Sequence, residues 1–355
     1  TWLSEHIWPA EAKFLSPAFV RDGTWLACWE MLRGGITCFN DMYFYPEATA
    51  EATLETGIRA VLGITVLEFP TRYATDADDY LTRGLAARDA LQHEPLIRFC
   101  LAPHAPYTVS DATFERIATL SAQLDLPIHV HLHETQGELE ESIRHYGVRP
   151  IERLERLGLL SPNLIAVHAV HWLPQEIQLL ARHNCTIAHC PTANMKLGSG
   201  MAPIADLLAA GLRIGLGTDG AASNNRLDML QEMRHAALLA KAASGNASVL
   251  DAHQALRMAT LEGATALGLD HEIGSILPGK AADLCAIRLD DWLSLPCFNP
   301  ASHLIYVAGR ENVTHVWVAG KLRIREGKPV DHTVQSRTQI LCDLWHTHDR
   351  SQPLP

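Results

Sequence analysis

The chain has 355 residues, of which 47% are hydrophobic and 19% are charged, and its formal net charge is −11 at pH 7. This length suits one large domain, or a domain with a smaller appendage, and the composition is that of a soluble globular protein. The acidic balance argues against nucleic acid as a partner. No apolar run reaches the 18 residues that a membrane span requires, which argues against a membrane protein.

The first residues show neither the charged region nor the apolar region of a signal peptide. The sequence contains eight cysteines, and none of them forms a CxxC pair. A chain of this length does not need a disulfide framework to fold. We therefore expect reduced cysteines and a cytoplasmic protein.

Seven short apolar segments, separated by longer amphipathic ones, predict strands. In chain order they are 36–43, 59–68, 97–105, 127–134, 164–171, 185–191 and 213–220. Apolar strands that alternate with helices indicate a parallel sheet covered by those helices. The pattern predicts helices at 111–124, with Ser110 in an N-cap position, and at 137–158, 227–243 and 251–267.

Polar residues follow the apolar part of five predicted strands. They are His104, Glu134, His168, His189 and Asp219. Functional groups at the C-terminal ends of several strands are typical of a barrel mouth, whereas a doubly wound sheet gathers them at one crevice. A closed barrel has eight strands, and only seven are predicted here. We therefore expect an α/β fold in which residues 1–270 form strands 2–8 of a (β/α)8 TIM-type barrel that lacks its first strand.

The pattern changes after residue 270. The segments GSILPGKAADLCAIRL and THVWVAGKLRIREGK have the composition of β-hairpins with Gly-Lys turns, and a short helix is predicted at 334–346. Residues 271–355 are therefore predicted to form a small C-terminal β-subdomain with a terminal helix.

The segment HVHLHET predicts part of a hydrolytic metal site. In a strand, His129, His131 and His133 lie on the same side, and Glu134 follows the strand end. Asp219 ends the last predicted strand, inside LGTDG. A histidine and an aspartate from different strands can bind one divalent ion through N and O atoms. A nearby glutamate can then transfer a proton during hydrolysis.

Other histidines are interpreted as structural. We expect His129 and His133 to form hydrogen bonds in the core, and His189 to lie in the cavity wall. An HxH pattern also occurs at His346 and His348. It lies on a predicted helix, where positions two apart diverge by about 200° around the axis, so we do not expect this pair to bind metal.

Four segments resemble the amidohydrolase superfamily: HVHLHET, AVHAVHW, CPTANMKLGSGMAPI and LGTDGAASNNRLDMLQEMR. Within it, they most resemble the 5′-methylthioadenosine/S-adenosylhomocysteine deaminases, in the group of TRZ/ATZ-type hydrolases. The segments WLSEHIWPAEAKF, GGITCFNDMYFYPE and APHAPYTVS support this narrower resemblance. The similarity extends from residue 2 to beyond residue 320.

The resemblance implies a set of catalytic residues. In the family, an HxH on the first strand, a histidine on the fifth and an aspartate on the eighth hold one metal. His131 and Asp219 match the last two ligands, and zinc is the expected metal, with iron or manganese as alternatives. Glu134 matches the glutamate that transfers protons, and His168 matches the histidine that steadies the attacking water. The HxH strand is not in this sequence, so we interpret the chain as a fragment rather than a metal-poor relative.

The resemblance also implies the substrate and the reaction. Glu11 and His104 match positions that bind the ribose and the thioether end of a nucleoside, whereas the role of Arg72 stays open. The implied reaction is hydrolytic deamination of the adenine ring, with Asp219 accepting a proton from water and Glu134 protonating a ring nitrogen. The HxE and PCxxC signature of cytidine-deaminase-type zinc enzymes is absent.

Two alternatives remain at this point. One is an aminohydrolase or chlorohydrolase of the same superfamily that acts on guanine, cytosine or a triazine. The other is a metal-free barrel that serves as a binding scaffold. The expected partner is a small-molecule nucleoside, and the sequence leaves open whether the chain forms a homo-oligomer.

Overall fold

The structure is a computed structural model that describes residues 2–349, with all side chains in that range except those of Ser4 and residues 346–349. The side chains of His346 and His348 therefore lie outside the described part. The backbone there is helical, because the terminal helix α16 extends over Val334–Asp349.

Seven parallel strands form the main sheet, in the order β1 to β7. They are β1 (Cys38–Asp41), β2 (Arg59–Val66), β3 (Ile97–Pro103), β4 (Ile128–Leu132), β5 (Leu164–His168), β6 (Thr186–His189) and β7 (Arg213–Leu216). Each neighbouring pair is parallel. In residues 2–349, β1 and β7 each pair with one strand only, so the sheet curls without closing. The predicted barrel lacking a strand is confirmed.

Helices alternate with these strands along the chain. The helices are α1 (Trp8–Phe14), α2 (Pro17–Arg33), α3 (Pro46–Thr56), α4 (Ala77–Leu91), α5 (Asp111–Leu124), α6 (Gln136–Tyr146), α7 (Pro150–Arg156), α8 (Pro174–Arg182), α9 (Pro191–Lys196), α10 (Ile204–Ala209), α11 (Ala221–Asn224), α12 (Met229–Ser244), α13 (Ala252–Met258), α14 (Leu261–Ala266) and α15 (Pro300–Tyr306). Leu3–Ile7 forms a π-helix, and Arg310–Asn312 a short 3₁₀ helix. Ser110 caps α5 as predicted, because its side chain accepts a hydrogen bond from the Thr113 N–H.

Two predictions of a single continuous helix are wrong, because each of these segments forms two helices. The segment 137–158 forms α6 and α7, because Gly147 ends α6 in a left-handed conformation (φ 71°) and Pro150 begins α7. The segment 251–267 is divided into α13 and α14 at Thr260, whose φ of −128° and ψ of −93° are not helical. Each break is local and leaves the sheet order unchanged.

Strand β4 shows how the sheet orients its side chains. Ile128, Val130 and Leu132 are fully buried, whereas His129 and His131 alternate with them and line the cavity inside the curled sheet. The strand ends at Leu132, and His133 adopts a φ of 56°, which breaks the alternation. The prediction that all three histidines share one face is therefore wrong for His133.

A second, antiparallel sheet lies C-terminal to the first. It contains β8 (Leu284–Ile287), β9 (Val313–Val318), β10 (Lys321–Arg325) and β11 (Lys328–Pro329), in the order β11-β10-β9-β8. The hairpin predicted in THVWVAGKLRIREGK is present, whereas GSILPGKAADLCAIRL contributes only the short strand β8. Buried side chains of β9 join the same hydrophobic cluster as the main sheet, so the boundary after residue 270 stays a prediction.

Ion pairs of Arg59 connect the main sheet to the segment that precedes the second sheet. At the start of β2, Arg59 Nε donates to Asp283 Oδ2 at 2.9 Å, and Arg59 Nη1 donates to Glu272 Oε1 at 2.5 Å. The Arg59 and Asp283 side chains are each only 2% exposed. These contacts join the β1–β2 edge of the curled sheet to the segment that leads into β8.

No helix in the described part of the chain is both long and apolar enough to cross a membrane. The eight cysteines are free thiols.

Candidate active site

One large cavity, of about 1200 Å³, lies inside the curled sheet. It brings together every site residue predicted from the sequence: Glu11, His104, His131, Glu134, His168 and Asp219. Ordinary ligand pockets have volumes of about 300–1,000 Å³. This cavity is larger because it continues between the two edge strands, where Cys38 of β1 and Gly215 of β7 both line it.

His131 is oriented by the neighbouring strand β3. Its Nδ1 lies 2.7 Å from the carbonyl oxygen of His104, and because a carbonyl only accepts, Nδ1 carries the proton. Burial and the neighbouring His168 ring lower the pKa of His131, although the Glu134 and Asp219 carboxylates oppose this shift. The ring is therefore neutral, and its Nε2 keeps a lone pair. A ring nitrogen held by a backbone carbonyl is the usual support of a histidine that binds metal.

His168 lies beside His131, and the two rings stack with centroids 5.4 Å apart. His168 ends β5 with a φ of 71°, a strained conformation for a residue with a side chain. Its Nδ1 lies 2.8 Å from Asn194 Oδ1, and its Nε2 lies 3.8 Å from Glu134 Oε2. The strained turn and the Asn194 contact together direct Nε2 towards the glutamate.

Glu134 is held from two sides. Ser199 Oγ donates to Glu134 Oε1 at 3.2 Å, and the Glu134 N–H donates to Glu138 Oε2 at 2.8 Å. The other oxygen of Glu138 accepts the His133 N–H at 2.9 Å. Burial raises the pKa of Glu138 to about 7. These contacts fix the turn after β4 and leave Glu134 Oε2 next to His168.

Asp219 follows β7 in a left-handed turn with a φ of 59°. Its Oδ1 accepts the Gly220 N–H at 2.5 Å. The turn is supported by Asn224, whose Nδ2 donates to the Thr218 carbonyl at 2.7 Å and to Glu232 Oε1 at 2.9 Å. Sequence reasoning missed Asn224 and Glu232, although both occur in the same motif as Asp219.

The donors present fit part of a divalent metal site. His131 offers a neutral imidazole nitrogen and Asp219 a carboxylate, and both types of donor bind zinc. A catalytic zinc usually has three protein ligands. Among the side chains that the structure describes, no cluster of three or more histidine, cysteine, aspartate or glutamate residues could hold a metal. His131 and Asp219 are thus two donors of types that bind zinc, and the described side chains do not complete a set of three.

Glu11 and Tyr43 form a polar pair in the cavity wall. The Tyr43 hydroxyl donates to Glu11 Oε1 at 2.8 Å, and burial raises the pKa of Glu11. His104 is positioned by a contact of 3.0 Å between its Nδ1 and Thr108 Oγ1. Sequence reasoning missed Tyr43, since its role depends on a helix 32 residues earlier in the chain.

His133 and His129 occupy different environments. The Nδ1–H of His133 donates to the His171 carbonyl at 2.9 Å, and its Nε2 accepts the Ile151 N–H at 3.2 Å. Both ring nitrogens of His133 are thus used by the backbone, in agreement with the structural role expected for it. His129 lines the cavity, and burial lowers its pKa to about 3.

His189 does not line the large cavity. It borders a second cavity of about 10 Å³, together with Asn194 and Ala202. The prediction that His189 lies in the wall of the main cavity is therefore wrong.

Residues 1–323 match the description "Amidohydrolase family". The chain belongs to the amidohydrolase family. A protein from Teredinibacter turnerae named 5-methylthioadenosine/S-adenosylhomocysteine deaminase is 47% identical over 343 residues, which cover 97% of this chain and 77% of the relative. The resemblance inferred from the sequence motifs is confirmed.

Solved structures of other amidohydrolases share the fold. An adenosine deaminase from Xanthomonas campestris with bound zinc superposes with a TM-score of 0.96 at 45% identity, covering 99% of this chain and 80% of that one. An atrazine chlorohydrolase from Arthrobacter aurescens complexed with zinc gives a TM-score of 0.88 at 28% identity, covering 97% and 81%. The curled sheet is therefore that of the amidohydrolase barrel.

Proposed function

We propose that this chain carries the active site of a metal-dependent deaminase. It hydrolyses the 6-amino group of adenine in 5′-methylthioadenosine or S-adenosylhomocysteine-type nucleosides, and the products are the inosine analogue and ammonia. The observation that carries this proposal is the convergence of His131, Glu134, His168 and Asp219 in one cavity. The names of the Teredinibacter and Xanthomonas relatives support the same chemistry.

His131 Nε2 and the Asp219 carboxylate would hold the metal, for which zinc is the first candidate because the similar solved structures contain zinc. A bound divalent metal lowers the pKa of water, so that hydroxide is available near neutral pH. Iron or manganese would serve the same purpose.

The remaining steps are carried by side chains of this chain. Asp219 accepts a proton from the attacking water, and His168 Nε2 orients that water towards C6 of adenine. Glu134 transfers the other proton of the water to a ring nitrogen, which makes C6 electrophilic, and the proton held by Asp219 then passes to the departing amine, which leaves as ammonia. Glu134 Oε2 lies 3.8 Å from His168 Nε2, beside the place where His168 would orient the water.

The wall near Glu11 suits a nucleoside with an apolar 5′ group. The Glu11 carboxylate, fixed by Tyr43, would accept hydrogen bonds from the ribose hydroxyls. Trp8 and Phe69 line the same cavity, and their rings lie 5.7 Å apart. Aromatic surfaces of this kind favour the burial of a methylthio group over that of a free hydroxyl. The role of Arg72 stays open, since it is exposed and donates to the Lys13 carbonyl.

The test is to purify the intact gene product, load it with zinc and record the ultraviolet spectrum with 5′-methylthioadenosine. We expect the adenine absorbance to be replaced by that of hypoxanthine, with ammonia released in equal amount. A zinc-loaded protein that leaves every adenosine analogue unchanged would refute the proposal. Elemental analysis of the same sample distinguishes the enzyme from a metal-free scaffold, which would retain no zinc.

The Glu11→Gln variant separates nucleosides from free bases as substrates. If Glu11 binds the ribose, the variant should lose far more activity on 5′-methylthioadenosine than on guanine or cytosine. An equal loss on both kinds of substrate would favour a free-base aminohydrolase.

The free thiols of all eight cysteines agree with a reducing, cytoplasmic location for the enzyme.

A further inference from the structure

The segment CPTANMKLGS, residues 190–199, contacts two of the side chains proposed to act in the reaction, His168 and Glu134. Asn194, on the short helix α9, places its Oδ1 2.8 Å from His168 Nδ1. Ser199 donates to Glu134 Oε1 at 3.2 Å. The two contacts are coupled, because the Ser199 N–H donates to the Asn194 carbonyl at 2.9 Å.

The Asn194 side chain has little freedom to move. It is 1% exposed, and His168 is 2% exposed. The Asn194 N–H donates to the Cys190 carbonyl at 3.0 Å, so the backbone is fixed on both sides of the side chain. Asn194 Nδ2 has no hydrogen-bond partner among the described residues. Asn194 also borders the second cavity of about 10 Å³, which has roughly the volume of one water molecule.

The contact decides which nitrogen of His168 carries the proton. A neutral imidazole has one nitrogen that donates and one that accepts. Because an amide oxygen only accepts, Oδ1 of Asn194 requires the proton on His168 Nδ1. Nε2, which faces Glu134, then keeps its lone pair. With the amide rotated by half a turn, the NH₂ group would meet Nδ1 and the proton would move to Nε2.

We propose that Asn194 is a positioning residue that holds His168 in the Nδ1–H tautomer, so that Nε2 accepts a hydrogen bond from the attacking water. The catalytic consequence rests on the function proposed above, whereas the tautomer is a property of the folded chain. An Nε2–H group would instead donate to the water or to Glu134, and would not help to remove the proton that the water must lose.

The experiment is nuclear magnetic resonance on the metal-free protein labelled with ¹⁵N-histidine, at pH 7.5 and without substrate. Long-range proton–nitrogen correlations show which ring nitrogen is protonated, and the His168→Gln variant identifies the His168 signals by their loss. We expect the Nδ1–H pattern in the unsubstituted protein. The Asn194→Leu variant should lose that pattern and show mainly Nε2–H, because the acceptor is gone.

Two further variants make the test specific. Asn194→Asp keeps an acceptor oxygen and should preserve the Nδ1–H pattern, as a rescue by a conservative change. Met195→Leu, on the same helix but with a side chain 40% exposed, introduces the same leucine one position away and should leave the His168 signals unchanged.

The outcome can overturn the proposal in several ways. An Nε2–H pattern or a doubly protonated ring in the unsubstituted protein refutes it. So does an unchanged Nδ1–H pattern in Asn194→Leu when circular dichroism shows a folded protein. If Asn194→Leu does not fold, the pattern in the unsubstituted protein and in Asn194→Asp decides. Because no turnover is measured, failure of the deaminase assay and failure of this proposal are separate results.

Discussion

His131 of β4 and His168 of β5 are fixed by hydrogen bonds from other elements, whereas the carboxylates of Asp41 and Asp219, beside the edge strands, accept hydrogen bonds within their own turns. His131 is bonded to the residue after β3, and His168 to α9. In contrast, Asp41 of β1 accepts from the N–H of Met42, and Asp219 after β7 accepts from that of Gly220. The side of the cavity mouth formed by the inner strands is called the paired side, and the side formed by β1 and β7 is called the edge side. Hydrogen bonds from other elements thus fix the catalytic side chains of the paired side more fully than those of the edge side.

The difference follows from strand pairing. A residue on an inner strand has neighbouring loops on both sides, and each of them supplies hydrogen-bond partners at fixed positions. In the described chain, β1 and β7 have a neighbour on one side only. Burial without an external partner also raises the pKa of Asp41 to about 6. Side-chain ion pairs, such as that of Arg59 with Asp283, take over part of the support at the β1–β2 edge.

The largest effect is expected on the paired side, at Glu134. Glu134→Gln in the intact gene product should lower kcat by about 10²–10⁴-fold, because the proton donor and acceptor is lost while the shape is kept. Steady-state deamination of 5′-methylthioadenosine measures this change. The control is Glu140→Gln, at an exposed position on α6, which should keep the original kcat. A loss of less than tenfold at Glu134 would mean that another group transfers the proton.

The ion pairs at the edge are tested by Arg59→Met. Removing the arginine leaves Asp283 buried without its partner, and breaking a buried pair in this way costs about 3–5 kcal/mol in the free energy of unfolding. Denaturation with urea measures the loss. Arg98→Met is the matched control, because Arg98 is 44% exposed and lies 3.5 Å from Glu272, so about 0–1 kcal/mol is expected. A loss in Arg59→Met no larger than the roughly 0–1 kcal/mol expected for Arg98→Met would show that the edge does not depend on Arg59.

On the paired side, His189 should make the stability depend on pH. Burial, followed by the effect of His168, lowers the pKa of His189 from 6.5 to about 3. The unfolded chain therefore binds a proton that the folded chain excludes. The stability from this residue is complete above pH 6.5 and falls by about 1.4 kcal/mol for each pH unit below it, towards pH 3.

The measurement compares the free energy of unfolding at pH 7.5 and pH 5.5 for the unsubstituted protein and for His189→Leu. The variant should lose less stability between the two pH values, by roughly 1.4 kcal/mol. An identical pH dependence in both proteins would show that His189 is protonated in the folded state or is accessible to water.

The smallest effect is expected beside β1, at Tyr43. Tyr43→Phe removes one hydrogen bond to Glu11, which is worth about 0.5–1.5 kcal/mol. We expect KM for 5′-methylthioadenosine to rise about 2–10-fold with little change in kcat, as for a contact made equally in the bound substrate and in the transition state. A large fall in kcat would place Tyr43 closer to the reacting atoms than the proposal does.

Local patterns predicted much of the fold and of the site. The alternation in HVHLHET located β4 and the cavity-facing His131, and polar residues at strand ends located the mouth. The break between α6 and α7 could also have been predicted, since Gly147 and Pro150 are standard end and start signals. It was missed because the charge pattern of the segment, acidic first and basic last, continues across the break.

The sequence by itself determined the order of the strands, the side of β4 that faces the cavity and the chemical types of the catalytic groups. These depend on periodicity and on residue identity, which neighbouring residues supply. Only the tertiary structure decided which partners hold those groups, because His168 and Asn194 are 26 residues apart, and Glu134 and Ser199 are 65 apart. Such contacts require a particular arrangement of loops around a curled sheet, and no local pattern specifies the distance between two side chains that meet only after folding.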